Sequence, residues 1–249
     1  MTVTSVPELF IYPDRAALNR AAADEFIRCA NEAIRARGRF TVALSGGSTP
    51  RELFAELASE PYRSRVDWSR VHFYWGDERA VPPDSPESNY RMADETLLSH
   101  VPVLPENVHR FLAEEDPGVA AAEYERTLRD SFGDALPRLD LVLLGLGTNG
   151  HTASLFPHTL ALDEKTRWVV AVWVPELNTS RLTLTAPVLN HAATIIFLVA
   201  GRDKAHVVEQ VLHGPYVPQD LPAQFIHPDD GKLLWLLDQD AAGELKNNT

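Results

Sequence analysis

The sequence predicts an α/β fold: a mostly parallel sheet with helices on both faces. Short strand-like runs alternate with helical segments along almost the whole chain. Several runs end in glycine- or charge-bearing turns, and in such sheets ligands bind beyond the carboxyl ends of the strands. A length of 249 residues, 45% of them hydrophobic and 23% charged, suits one large α/β domain spanning 1–249.

The elements follow in order. Glu8–Tyr12 reads as a short strand. Arg15–Arg37 carries Leu18, Ala22, Phe26, Ala30, Ala33 and Ile34 at helical spacing, and Gly38 ends it. Phe40–Leu44 is the next strand. Pro50–Ala58 is a helix with Thr49 as N-cap and Glu52 completing a capping box. Val71–Trp75 is a strand, Asn89–Leu98 a helix opened by Ser88, and Val119–Phe132 another helix. Leu139–Leu144 is a buried strand, and Trp168–Val174, Arg181–Thr185 and Thr194–Ala200 are strand-like. Asp203–Leu212 is helical, Leu233–Leu237 is a last strand, and Gln239–Leu245 a terminal helical turn. There is no internal repeat and no low-complexity linker.

Composition narrows the function classes. A formal net charge of −12 disfavours nucleic acid and anionic membranes as partners, while leaving room for an anionic small molecule in a locally basic cleft. The single cysteine, Cys29, excludes a disulfide framework, and the histidines show no metal-binding spacing, so no metal is expected. The opening MTVTSVPELFIYPD lacks a secretory pattern, and apolar runs such as Ala193–Ala200 fall far short of the roughly 20 residues a bilayer requires. The expectation is a cytoplasmic protein, a monomer or weak homo-oligomer.

The strand ends hold the candidate chemistry. After Phe40–Leu44 come Ser45, Gly46, Gly47, Ser48 and Thr49, either an anion cradle at a helix N-terminus or a tight, well-capped turn. After Val71–Trp75 come Asp77, Glu78 and Arg79; the arginine can grip a phosphate bidentately or form a surface ion pair. Asn89 and Tyr90 fit a pocket wall or ordinary capping and packing. Arg181 and Lys204, near other strand ends, fit ligand contacts or solvated charges.

The most informative segment is Gly145-Leu146-Gly147-Thr148-Asn149-Gly150-His151, directly after Leu139–Leu144. Glycines there permit positive φ and close ligand approach, and His151 can move protons near neutral pH. Gly145, Gly147 and Gly150 also satisfy G-x-G-x-x-G, with Asp163 near the offset of a ribose-binding acid. The context opposes a dinucleotide: Pro157 cuts the helix expected after the loop to about two turns, and Asp163 precedes the next strand instead of ending it. A packed structural histidine is the other alternative.

Taken together, ALSGGSTP (Ala43–Pro50), WGDERAVP (Trp75–Pro82), SNYRMA (Ser88–Ala93), LDLVLLGLGTNGHTASLFP (Leu139–Pro157), RLTLTAPVLNHA (Arg181–Ala192), LVAGRDKA (Leu198–Ala205) and WLLDQDAA (Trp235–Ala242) resemble the 6-phosphogluconolactonase family in joint order. The resemblance runs from near residue 8 to near residue 242. It implies a Rossmann-like fold shared with glucosamine-6-phosphate deaminases. It also implies hydrolysis of 6-phospho-D-glucono-1,5-lactone, a phosphosugar lactone, with no metal or organic cofactor. By the same resemblance, His151 is the catalytic base, Arg79 and Lys204 meet the 6-phosphate, and Ser45–Thr49 walls the sugar-phosphate pocket. The backbone of Gly145, Gly147 and Gly150 is a candidate oxyanion site.

One departure stands out. The family usually carries an acid two positions before the histidine, where this chain has Asn149; Asp77 is a candidate to supply that charge instead. The related deaminases carry a glutamate five positions after the histidine, where this chain has Phe156. An amino-sugar-phosphate deaminase/isomerase and a non-catalytic phosphosugar-binding relative are the rival readings. An unperturbed histidine base predicts activity falling below about pH 6.5.

Overall fold

The computed structural model describes residues 7–245. The reading of the opening residues as free of a secretory pattern therefore falls partly outside the described residues, as do both ends of the 1–249 domain range. In chain order the strands and helices are β1 (Glu8–Tyr12), α1 (Arg15–Arg37), β2 (Phe40–Leu44), α2 (Ser48–Ala58), β3 (Val71–Trp75), β4 (Asp77–Arg79), α3 (Asn89–Thr96), α4 (Pro117–Phe132), β5 (Leu141–Leu144), β6 (Val169–Val174), β7 (Thr179–Leu184), α5 (Ala186–Asn190), β8 (Thr194–Val199), α6 (Ala205–His213) and β9 (Lys232–Asp238).

The main sheet is parallel throughout, in the order β1-β9-β8-β5-β2-β3. Every residue of β2, β5 and β8 is buried, as expected of parallel strands covered on both faces. From β2 the chain crosses through α2 to β3 on one side; from β5 it proceeds to β8 on the other. The crevice between the ends of β2 and β5 is thus the topological switch point, where ligands bind in this architecture.

A second, antiparallel sheet, β4-β7-β6, was not legible as such. β4 has three residues, Asp77, Glu78 and Arg79, with no apolar alternation to mark it. It nevertheless pairs with β7 and carries the charges of the β3 end onto a second sheet packed against α4.

Local differences from expectation have identifiable causes. α2 starts at Ser48, with Gly47 at φ 106 as its N-cap and no side-chain capping bond. The capping box does not form: Thr49 is buried inside the first turn, and Glu52 instead accepts from Arg15 (3.0 Å) and Asn19 (3.0 Å) of α1. Ser88 caps α3 as expected, accepting from the N–H of Arg91 at 3.1 Å. α4 begins two residues before the predicted Val119, because Asp116 accepts from both Gly118 and Val119. Arg202–Lys204 is a 3-10 turn leading into α6, and residues 239–245 form turns around Asp238 in place of a helix. No described helix is long and apolar enough to cross a membrane.

The expected short helix after the glycine–histidine loop is also absent. Its backbone turns at Ala153 (φ 47) around a Thr152–Leu155 bridge. Ser154 bonds outward to Thr183 of β7 (3.3 Å) and Asp77 of β4 (2.7 Å), so the small sheet captures the segment.

At the end of β3, Tyr124 of α4 occupies both backbone groups of Trp75, accepting from its N–H (2.7 Å) and donating to its carbonyl (3.2 Å). Tyr124→Phe leaves these buried groups unpaired, so urea unfolding should report a loss of roughly 1–3 kcal/mol.

Candidate active site

Four strand-end segments converge on the switch point: the β2–α2 loop, β4, the loop after β5 and the turn after β8. Together they wall a cleft of about 240 Å³ lined by Ser45, Gly46, Gly47, Asp77, Arg79, Asn89, Gly145, Gly147, His151 and Lys204, among others. A second hollow of about 260 Å³ continues past Gly46 and Gly145 to Ser48, Thr49, Arg15 and Lys204. Lys204 lines both, whereas His151 belongs only to the first.

The loop after β5 is folded to present an imidazole. Gly147 N–H donates to the His151 carbonyl (2.8 Å), and Gly150 N–H to the Gly147 carbonyl (3.0 Å). A Cβ on Gly147 would lie 2.0 Å from Nδ1 of His151, and one on Gly150, at φ 78, would meet Leu221 at 2.7 Å. A Cβ on Gly145 would meet nothing within 4 Å. Gly147 therefore leaves room for the imidazole, and Gly150 for Leu221. The N–H groups of Gly147 and Gly150 are already paired within the loop, so these two of the three expected oxyanion glycines are not free to take that role.

The imidazole is fixed on several sides. Phe156 stacks on it, with centroids 4.1 Å apart and planes 19° apart. Nδ1 lies 2.5 Å from Oδ1 of Asn149, which also accepts the backbone N–H of His151 at 3.3 Å. The backbone N–H of His151 can only donate, which identifies the amide atom it meets as the oxygen. A carbonyl oxygen only accepts, so neutral His151 carries its proton on Nδ1 and its lone pair on Nε2. Asp77, the candidate to supply charge here, turns elsewhere and accepts from Ser154 Oγ.

Electrostatics keep the imidazole neutral. Burial lowers its pKa to about 4, reinforced by the positive charges of Lys204, Arg181 and Arg79. The expected titration near 6.5 is thus displaced. The same burial raises the carboxyl of Asp77 against the opposing pull of Arg79, Ser154 and Arg181.

The cations are concentrated in an otherwise acidic protein. Arg79 and Arg181 stand directly opposite each other on β4 and β7, a like-charge pairing that disfavours the ladder unless an anion joins them. Nη1 of Arg181 is buried without a partner. Arg181 is not among the residues lining the two hollows, but its charge acts on His151 from beside them. Lys204 Nζ lies 3.4 Å from Asp203. The buried hydroxyl of Ser45, also unpartnered, lines the cleft. Ser48 and Thr49 lie in the uncapped first turn of α2, where backbone N–H groups favour an anion.

The fold brings Ser45–Thr49, Arg79, His151 and Lys204 to the walls of the two adjoining hollows, with Asn149 beside His151. Sequence reasoning missed Phe156 as the stacking partner and Arg15 as a wall of the second hollow. It also missed the full part played by Asn89, whose amide meets Gly46 and Arg79. From the sequence, Asn89 at the start of a helix fits a pocket wall as well as ordinary capping. Among the described residues, no group of three His, Cys, Asp or Glu side chains is placed to hold a metal ion.

A fold of this kind, with a neutral histidine and a cationic hollow at its switch point, suits an α/β enzyme that takes an anionic small molecule. The family model for glucosamine-6-phosphate isomerases/6-phosphogluconolactonase matches residues 13–235, and the chain belongs to that family. It is 42% identical over 239 residues to a 6-phosphogluconolactonase of a Nostoc species, covering 94% of this chain and 97% of that one. It superimposes on the solved 6-phosphogluconolactonase of Trypanosoma cruzi with a TM-score of 0.86 at 28% identity, covering 98% and 99% of the two chains. A monomeric glucosamine-6-phosphate deaminase shares the fold, with a TM-score of 0.79 at 22% identity over 95% and 99% of the chains.

Two outcomes follow from the packing and the charges. Gly147→Ala displaces the imidazole and should abolish most activity while the protein stays folded by circular dichroism. Asn149→Asp adds a negative charge against Nδ1, which favours the imidazolium. Its acid limb in kcat/KM should lie above the wild-type limb, expected near pH 4 from the His151 value. Matching pH–rate profiles would show that Asn149 does not control the base.

Proposed function

We propose that this chain hydrolyses 6-phospho-D-glucono-1,5-lactone to 6-phospho-D-gluconate, the hydrolytic step of the oxidative pentose phosphate pathway. It does so as a single cytoplasmic domain, a monomer or weak homo-oligomer, acting on a small molecule without a cofactor. The observation that carries this reading is the neutral His151, held by the Asn149 amide with Nε2 left to act as base.

In this mechanism Nε2 of His151 takes a proton from a water, and the water oxygen attacks C1 of the lactone. Charge grows on the carbonyl oxygen. Arg79 lines the His151 side of the cleft, so it faces this reacting end and stabilises the charge. This differs from the phosphate contact the resemblance implied for Arg79. The C1–ring oxygen bond then breaks, and the ring oxygen takes the proton from the imidazolium. Lys204 and the first turn of α2 hold the phosphate in the second hollow, so binding energy remote from C1 orients the carbonyl. The phosphate also offsets the cations that depress His151, so the acid limb of kcat lies above that of kcat/KM.

A deaminase/isomerase finds less support. The position where those enzymes carry a glutamate holds Phe156, committed to stacking on the imidazole.

The lactone also opens spontaneously, so the test compares wild type, His151→Ala and buffer by following lactone loss. Wild type should exceed buffer, and His151→Ala should lose about 10²–10⁴ of the catalysed rate. A wild type equal to buffer rejects the hydrolase reading. Ammonia release from glucosamine 6-phosphate would favour the deaminase, and phosphosugar binding without turnover a non-catalytic relative.

A further inference from the structure

Resting on the hydrolase reading, we infer that Glu78 is a positioning residue: its buried carboxylate clamps the start of α3 so that Asn89 aims the Arg79 guanidinium at the reacting end of the cleft. Glu78 is only 2% exposed. Its Oε1 accepts the backbone N–H groups of Arg79 (2.8 Å) and Asn89 (2.7 Å). Its Oε2 accepts the N–H of Tyr90 (2.8 Å) and the Ser88 hydroxyl (3.1 Å). Both oxygens are fully used, and none of these partners is a cationic side chain.

Capping alone does not account for this carboxylate. α3 already has Ser88 as N-cap, accepting from Arg91. Burying a carboxylate away from water is costly, and Glu78 bears that cost beside a second buried acid, Asp77. What the carboxylate adds is a fixed relation between β4 and α3, because one oxygen holds Arg79 N–H and Asn89 N–H together. The consequence appears one bond further out. The Asn89 amide donates to the Asp77 carbonyl (2.9 Å), and its oxygen accepts from Nη1 of Arg79. The same Nη1 donates to the Glu87 carbonyl (2.8 Å), next to the clamped segment.

The arrangement leaves no slack. A Cβ on Gly46 would fall 1.8 Å from the Asn89 oxygen, so the amide is wedged between Arg79 and the glycine loop of the cleft. Asn89 and Arg79 line the cleft and Glu78 does not, so Glu78 acts through them.

The test is a double-mutant cycle on lactone turnover with Glu78→Gln, Arg79→Ala and the double variant. Glutamine keeps the shape but turns one acceptor into a donor facing donors. Glu78→Gln should lower kcat about 10–100-fold through a misplaced guanidinium. Arg79→Ala should cost about 10²–10³-fold in kcat. The double variant should be no slower than Arg79→Ala alone, since the two act as one unit. KM should move less than kcat in each.

If Glu78→Gln does not fold, Asn89→Ala takes its place, with the same expected loss and the same lack of additivity with Arg79→Ala. A folded Glu78→Gln with wild-type kcat and KM but a lower melting temperature would reduce Glu78 to a helix anchor. Losses that multiply in the double variant would likewise overturn the inference. A wild type no faster than buffer rejects the hydrolase reading and this inference with it, whereas a fast wild type with an equally fast Glu78→Gln rejects the inference alone.

Discussion

A single hydrogen bond, from Nδ1 of His151 to the amide oxygen of Asn149, decides what the cleft can do. It commits the imidazole proton to one nitrogen and leaves the other as a base. A carboxylate in the same place would stabilise the imidazolium; an amide orients the ring without that bias. Burial and three neighbouring cations complete the effect by making the charged form unfavourable. Gly147 and Phe156 hold the ring in place for this bond.

The rest of the structure brings the cations to that histidine. The parallel sheet alone would deliver the segments after β2, β5 and β8 to its switch point. The small antiparallel sheet adds the fourth, because β4 leaves the end of β3 and pairs its charged residues against β7. Ser154 ties the histidine loop to the same sheet through Asp77, so the base and Arg79 share one framework. Two adjoining hollows that meet at Lys204 then divide the work between a reacting end and an anion-holding end.

The parallel layer was legible in the sequence because β2, β5 and β8 are uninterrupted buried runs flanked by turns. The glycine–histidine loop was legible because its residue types are costly anywhere but a site. What escaped was set by contacts distant in the chain. β4 carries only charged residues, and its strand identity comes from β7, about a hundred residues later. The capping box at Thr49 failed because α1 claims Glu52. The helix expected after His151 gave way to bonds from Ser154 to the other sheet. The histidine's depressed pKa was equally hidden, since its causes, burial first and then the charges of Lys204, Arg181 and Arg79, depend on segments brought together only by the fold.

Nitrogen-15 NMR of the His151 ring at neutral pH tests the central claim most directly, with Asn149→Ala as the reference for assigning the effect of the bond. The account predicts a neutral imidazole with a protonated Nδ1 and a bare Nε2, and a mixture of tautomers once the Asn149 amide is removed. A protonated Nε2 at neutral pH in the wild type, whether as the other tautomer or as the imidazolium, would contradict it.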